Sequence, residues 1–125
     1  MPFSFSVVRT DEFGIAHLTA EGEATAVDFR PAGVHHFDEL LGANWNSRLV
    51  LVDMERVACI DSSAISWLIQ AQREFRAGGG KLVLHSVADS VRNILEMLKI
   101  SRIVPLAPTM EVGRALLVGK PVGTG

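Results

Sequence analysis

The chain has 125 residues, of which 48% are hydrophobic, and this length and composition predict one domain with its own core. The formal net charge is -2 and the 12 Lys and Arg residues are dispersed, which excludes the basic field of a nucleic-acid or anionic-membrane binder. Cys59 is the only cysteine, so an internal disulfide and a multi-cysteine metal site are excluded as well.

The amino terminus, "MPFSFSVVRTDEF", lacks the basic region and apolar stretch of a signal peptide. No apolar run approaches the roughly 20 residues that are needed to span a bilayer. The lone cysteine suits a reducing compartment. We therefore expect a cytoplasmic protein that does not insert directly into a membrane.

Two alternating segments come first along the chain. Phe3 to Val8 and Gly14 to Glu23 alternate apolar and polar residues as half-buried strands do, and the short polar turn between them predicts a hairpin. Pro31 then precedes a helical pattern that Gly42 is placed to end. The apolar positions of this short helix are Val34, Phe37, Leu40 and Leu41.

A strand, a helix and a second strand follow. Arg48 to Met54 is a nearly continuous apolar run, which is typical of a central strand covered on both faces. Ser62 to Ala77 has helical periodicity and stops at Gly78 to Gly80, after which Lys81 to Ser86 predicts another buried strand. Since these glycines follow a helix and precede a strand, the reverse of a phosphate-binding loop, we interpret them as a helix C-cap and turn.

The next segment, Val87 to Ile100, predicts a third helix with an apolar stripe, and Ser86 and Asp89 before and within it form a capping-box-like pair. The stripe consists of Val91, Ile94, Leu95 and Leu98.

The chain ends with a brief strand and a last helix. Pro105 assigns the strand, Arg102 to Leu106, to a sheet edge or a strand end, and Thr109 can cap the helix. The order ββαβαβαβα predicts an α/β domain over residues 1–118 with a mixed sheet of about five strands. The Gly-rich residues 119–125 predict a flexible tail.

Three polar residues, Asp61, Ser62 and Ser63, stand where the central strand meets its helix. Capping of the first helical turn explains one such residue, and the other two leave a modification or binding site open. At 100° per residue, one face of this helix is apolar and points to the sheet. The apolar face consists of Ala64, Trp67, Leu68, Ala71 and Phe75, and the polar face of Ser62, Ser66, Gln70 and Arg73. Ile69 borders the polar face, either as a loosely covered edge of the core or as a partner contact.

Four segments together resemble a known family, the STAS domain, which is named for sulfate transporters and anti-sigma factor antagonists. They are "EGE" after the second strand, "LVLVDMERVACIDSSAISWLI" as strand, loop and serine-bearing helix, "GGGKLVLHSV" as turn and strand, and "VRNILEMLKISRIVPL". The resemblance extends over roughly residues 5 to 118.

The resemblance implies a switch without catalysis of its own. Stand-alone members that act as anti-sigma factor antagonists are phosphorylated, by a partner that is both kinase and anti-sigma factor, on the serine that matches Ser62. A phosphatase reverses the modification, and only the unmodified antagonist binds the anti-sigma factor. Ser63 is the alternative phosphorylation site, and the expected partner-binding residues are Asp61, Ser63, Ser66, Ile69, Gln70, Arg73 and Thr25.

Two positions depart from the family pattern. Ala64 stands where the family usually has glycine, and Thr25 stands where it often has a carboxylate, in the loop expected to neighbour Ser62. These departures motivate a second hypothesis, a non-phosphorylated scaffold or accessory subunit of a stress-signalling or lipid-transport complex. Both hypotheses imply a bacterial protein that binds other proteins and needs no cofactor.

Other reactive residues indicate no enzyme. The adjacent His35 and His36 point about 100° apart on a helix and lack metal-ligand spacing, and we interpret the histidines as surface and boundary residues. No "GxSxG" sequence accompanies the serines, which argues against a hydrolase. Cys59 has apolar neighbours, and we expect it to be a small buried residue.

Overall fold

The computed structural model describes residues 4–24 and 41–118, which form a mixed sheet with helices on both faces. The strands are β1 (Ser4–Thr10), β2 (Ile15–Ala24), β3 (Leu49–Ile60), β4 (Lys81–His85) and β5 (Leu106–Ala107). The helices are α1 (Ser62–Gly78), α2 (Asp89–Met97) and α3 (Met110–Val118), with 3-10 turns at Trp45–Ser47 and Ile100–Arg102. The predicted α/β class with a mixed five-stranded sheet is confirmed.

The strands lie in the order β1-β2-β3-β4-β5. β1 and β2 form the predicted antiparallel hairpin, and β2, β3, β4 and β5 run parallel to one another. β3 is central, as its apolar run predicts. Because successive side chains of a strand point to opposite faces, Val50 and Val52 pack under α1 and α2, whereas Leu51 packs under α3.

The central strand is longer than predicted. The prediction ends it at Met54, but β3 continues to Ile60 because β2 pairs with it as far as Ala24. β4 stops at His85, opposite Asp53, so more than half of β3, from Met54 to Ile60, has a strand neighbour on one side only. The projecting strand leads directly to Asp61 and the start of α1.

The turn after α1 is the predicted helix C-cap. Gly79 has a φ of 86°, in the left-handed region, and its backbone N–H donates to the carbonyl of Phe75. Gly80 allows a close approach, since a Cβ there would lie 2.4 Å from the carbonyl oxygen of Arg48.

Two predicted details of the second half are wrong. α2 begins at Asp89 after Ala88 with no side-chain cap, and Asp89 forms an ion pair of 2.7 Å with Arg92 in place of the capping box with Ser86. The expected strand over 102–106 is reduced to Leu106–Ala107, because the preceding residues form a 3-10 turn.

Two other details of that half are confirmed. Pro105 immediately precedes β5, which lies at the edge of the sheet. Thr109 accepts a hydrogen bond through Oγ1 from the N–H of Val112, at 3.3 Å.

Several predictions concern residues outside the described ranges: the short helix with Val34, Phe37 and Leu40, and the tail over 119–125. His35, His36 and Thr25 also lie outside them. Within residues 4–24 and 41–118, no helix combines the length and apolar character required to cross a membrane.

Candidate functional site

Asp61 caps α1. Its Oδ1 accepts hydrogen bonds from the backbone N–H groups of Ser63, at 3.0 Å, and Ala64, at 3.1 Å. These amides belong to the first turn of the helix, where no carbonyl is available to them. The cap explains the carboxylate of the Asp-Ser-Ser sequence and leaves both hydroxyls for other roles.

Ser62 is the first residue of α1 and is exposed. One side of the helix continues this exposed surface, as the periodicity predicts, and Ser63 is half-buried beside it. The exposed residues are Ser62, Ser66, Gln70 and Arg73, and the residues buried against the sheet are Ala64, Trp67, Leu68, Ala71 and Phe75. The structure thus brings Asp61 and the serines together at the helix start and extends their surface over about three turns of α1.

Ile69 has the role of a core edge. It is half-buried and, like Ile65, packs against the cluster of buried apolar side chains beneath α1. Part of its surface is left beside the exposed hydroxyls. Ala64 is 2% exposed, so its methyl group contacts the core and not the outward face.

A buried glutamine that the sequence reasoning missed holds α1 in place. Gln72 is 4% exposed, and its Nε2 donates to the carbonyls of Ile103, at 3.0 Å, and Leu82, at 3.3 Å. Its Oε1 accepts from the N–H of Leu82 at 3.3 Å. The available signal was spacing, because Gln72 follows Leu68 by four residues and therefore lies on the same buried stripe.

The strand end beside Ser62 is open to solvent. Cys59 is exposed, so the expectation of a buried cysteine is wrong, and the reason is that β3 projects beyond β4 at this point. Ala24 of β2 pairs with Ile60, which places the end of β2 next to the start of α1. Ser90 Oγ donates to the carbonyl of Ala58 at 3.5 Å, which places the start of α2 next to the same strand end.

Two histidines are buried, which corrects the interpretation of the histidines as surface and boundary residues. His17 is 5% exposed, and its Nε2 lies 2.8 Å from Oδ2 of Asp11. Burial opposes ionisation of Asp11, but hydrogen bonds from His17 and from the N–H groups of Phe13 and Ile15 outweigh it and lower the pKa of this carboxyl.

His85 is 7% exposed, and its Nδ1 lies 2.9 Å from Oγ of Ser86. Burial lowers the pKa of His85, and nearby carboxylates, Asp53 first, oppose that effect only in part. Among the residues that the structure describes, no group of three or more His, Cys, Asp or Glu side chains is arranged to hold a metal ion.

A family model described as STAS domain matches residues 11–112. No curated protein matches the chain significantly.

Solved structures of anti-sigma factor antagonists have the same fold. A Thermotoga maritima protein assigned to this class is 20% identical with a TM-score of 0.71, over 93% of this chain and 94% of that one. An anti-sigma factor antagonist of Mycobacterium paratuberculosis is 19% identical with a TM-score of 0.66, over 92% and 95%. The Bacillus cell fate determinant SpoIIAA in its phosphorylated form is 16% identical with a TM-score of 0.57, over 91% and 98%.

Proposed function

The chain belongs to the STAS domain family, and on this basis we propose that it is an anti-sigma factor antagonist, a binding module without catalytic activity that phosphorylation of Ser62 switches off. The observation that carries the proposal is the exposed Ser62 hydroxyl on the first turn of a helix that Asp61 already caps. Because the cap does not involve the Ser62 side chain, a kinase can modify this hydroxyl without breaking the helix start. The antagonists with the same fold support the proposal, and SpoIIAA among them has a phosphorylated form.

The switch acts on the interface. A phosphoryl group adds about -1.5 to -2 charges at pH 7, and the positive end of a helix dipole tolerates such charge at an amino terminus. The domain therefore keeps its fold. An acidic or apolar partner surface that contacts Ser62, however, would have to contact a dianion next to the Asp61 carboxylate, which carries a high desolvation and repulsion cost.

The partner surface in this proposal is the outward side of α1. It comprises Ser62, Ser66, Gln70 and Arg73, with the half-buried Ser63 and Ile69 at its border. Asp61 contributes by holding the first turn in place. The proposed partner is a serine kinase that also acts as anti-sigma factor, and a phosphatase restores the unmodified state.

The test is an affinity pull-down from the cells that make the protein, with immobilised wild type, Ser62→Ala and Ser62→Asp. Wild type and Ser62→Ala are expected to retain a kinase-type partner, and Ser62→Asp is expected to lose it. Ser47→Asp is the matched control, because Ser47 is also exposed but lies before the start of β3, whereas Ser62 follows its end. Equal retention by wild type and Ser62→Asp would contradict the proposal.

Phosphopeptide mapping decides which serine is modified. A phosphoryl group on Ser62 that varies with growth conditions supports the switch. A phosphoryl group on Ser63 would mean that the neighbouring, half-buried hydroxyl is the site of the switch. A partner that co-purifies in constant amount with an unmodified chain would instead favour the scaffold or accessory-subunit hypothesis.

A further inference from the structure

Four exposed basic residues lie on two segments that contact each other through Gln72 and Ile103. Arg73 and Arg76 lie on α1 itself, and Lys99 and Arg102 lie in the turn that follows α2. We call these four residues the basic patch. Its local positive charge contrasts with the net charge of -2 of the whole chain.

A hydrogen bond of Gln72 joins the two segments that carry these basic residues. Since Nε2 of Gln72 donates to the carbonyl of Ile103, the residues next to Ile103 lie against the part of α1 that carries Arg73 and Arg76. Lys99 has a φ of 61° and turns the chain out of α2, and the N–H of Arg102 donates to the carbonyl of Lys99 at 3.2 Å. Packing and local backbone geometry therefore hold the turn that carries Lys99 and Arg102 against α1.

The cations of the patch have no ion-pair partner among residues 4–24 and 41–118. Three arginines elsewhere do have one: Arg56 with Glu21, Arg92 with Asp89, and Arg114 with Asp11 and Glu12. Glu96, the exposed carboxylate closest to Lys99 in sequence, lines a cavity with Arg92 and Pro108 near β5. A partner can therefore contact the basic patch without displacing an internal carboxylate.

Two exposed apolar residues adjoin the patch. Met97 is 78% exposed and Leu98 is 53% exposed, and they directly precede Lys99. An apolar surface next to unpaired cations fits a protein segment that combines acidic and apolar side chains.

We propose that the basic patch docks an acidic segment of the protein partner and thereby extends the Ser62 surface along α1. This inference rests on the proposed function, because it assumes that one partner covers both ends of the helix. It also explains why phosphorylation would weaken binding and not strengthen it, since a phosphoryl dianion on Ser62 repels a partner whose contacting surface is acidic.

The test uses the protein that wild type retains in the pull-down, purified as the probe. Its association and dissociation rates are measured with wild type, the double variant Arg76→Glu/Arg102→Glu, and the control Arg56→Glu, which reverses an exposed arginine of β3. Because opposite charges steer encounter, we expect the double variant to associate about tenfold more slowly, with a smaller change in dissociation. Added salt is expected to slow wild-type association toward the rate of the variant.

A photo-crosslinking amino acid at position 97 identifies what covers the patch. We expect the cross-link to fall in a partner segment rich in Asp and Glu. A cross-link in a basic or neutral segment, or unchanged association of the double variant, would overturn the inference even where Ser62→Asp still releases the partner.

The other outcomes separate the two proposals. A partner that wild type and Ser62→Asp retain equally, but that the double variant loses, overturns the switch and supports the acidic docking segment. Loss of binding to phosphatidylglycerol vesicles in the double variant, with partner association unchanged, would identify a lipid-binding surface and overturn the inference.

Discussion

At the scale of single residues, the buried side-chain amide of Gln72 joins three segments of the fold, which the local sequence does not predict. Gln72 satisfies two backbone groups of Leu82 and the carbonyl of Ile103, so α1, β4 and the turn after α2 share one side chain. A polar residue at a buried position is stable only when it makes such bonds.

We predict that Gln72→Leu lowers the free energy of unfolding by about 2 to 4 kcal/mol, because it leaves buried backbone groups without partners. Gln70→Leu, on the exposed side of the same helix, is expected to change it by no more than about 0.5 kcal/mol. Urea denaturation of both variants measures the difference. Similar values for the two would show that the Gln72 hydrogen bonds contribute little.

His85 makes stability depend on pH. Because the pKa of His85 is lowered in the folded state, the unfolded chain binds a proton more readily. The contribution of neutral His85 to the free energy of unfolding is therefore complete above the ordinary pKa of 6.5. This contribution is lost as the pH falls from 6.5 through the lowered pKa that His85 has in the folded protein. We expect wild type to lose more unfolding free energy between pH 7.5 and pH 5.5 than His85→Gln does, as measured by urea denaturation at both values. An equal loss in the two proteins would assign the dependence to other groups.

At the scale of elements, the strand that ends in a cap positions the candidate site. β3 continues past its last contact with β4, and Asp61 then starts α1 at the end of the projecting strand. Ser62 therefore stands exposed where the projecting strand meets α1, which suits recognition by a protein surface.

We expect Asp61→Ala to cost about 1 kcal/mol of stability, since two first-turn amides lose their acceptor. Asp61→Asn keeps an oxygen in place and is the matched control, with a change of a few tenths of a kcal/mol. Thermal unfolding gives the cost, and amide exchange at Ser63 and Ala64 locates it. Unchanged exchange at these amides in Asp61→Ala would contradict the assigned cap.

At the scale of the whole molecule, the proposed switch requires that modification alter binding and leave the fold intact. We predict that phosphorylation of Ser62 changes the free energy of unfolding by less than about 1 kcal/mol, because the helix dipole offsets part of the repulsion from Asp61. Unfolding of the phosphorylated and unmodified proteins tests this, with NMR chemical shifts to show how far the change extends. A large loss of stability would mean that the switch acts by unfolding the helix start.

The extent of the neighbouring strands and helices explains why some of the sequence-based predictions were wrong. The apolar run of β3 predicts a strand covered on both faces, but it contains no information about how far β2 and β4 accompany that strand. Cys59 is exposed because the neighbouring strand β4 ends early, a fact of the sheet and not of the residues around the cysteine. The Ser86 to Asp89 spacing suggested a capping box, and the ion pair of Asp89 with Arg92 replaced it.

The sequence by itself determined the family, the α/β class, the central strand and the outward side of α1, because hydrophobic periodicity and turn residues act over a few neighbouring positions. Only the tertiary structure decided where β3 ends, that Gln72 joins three segments, and that the turn after α2 lies against α1. The sequence does not predict these contacts, because packing brings together residues that are far apart along the chain and that no local pattern links.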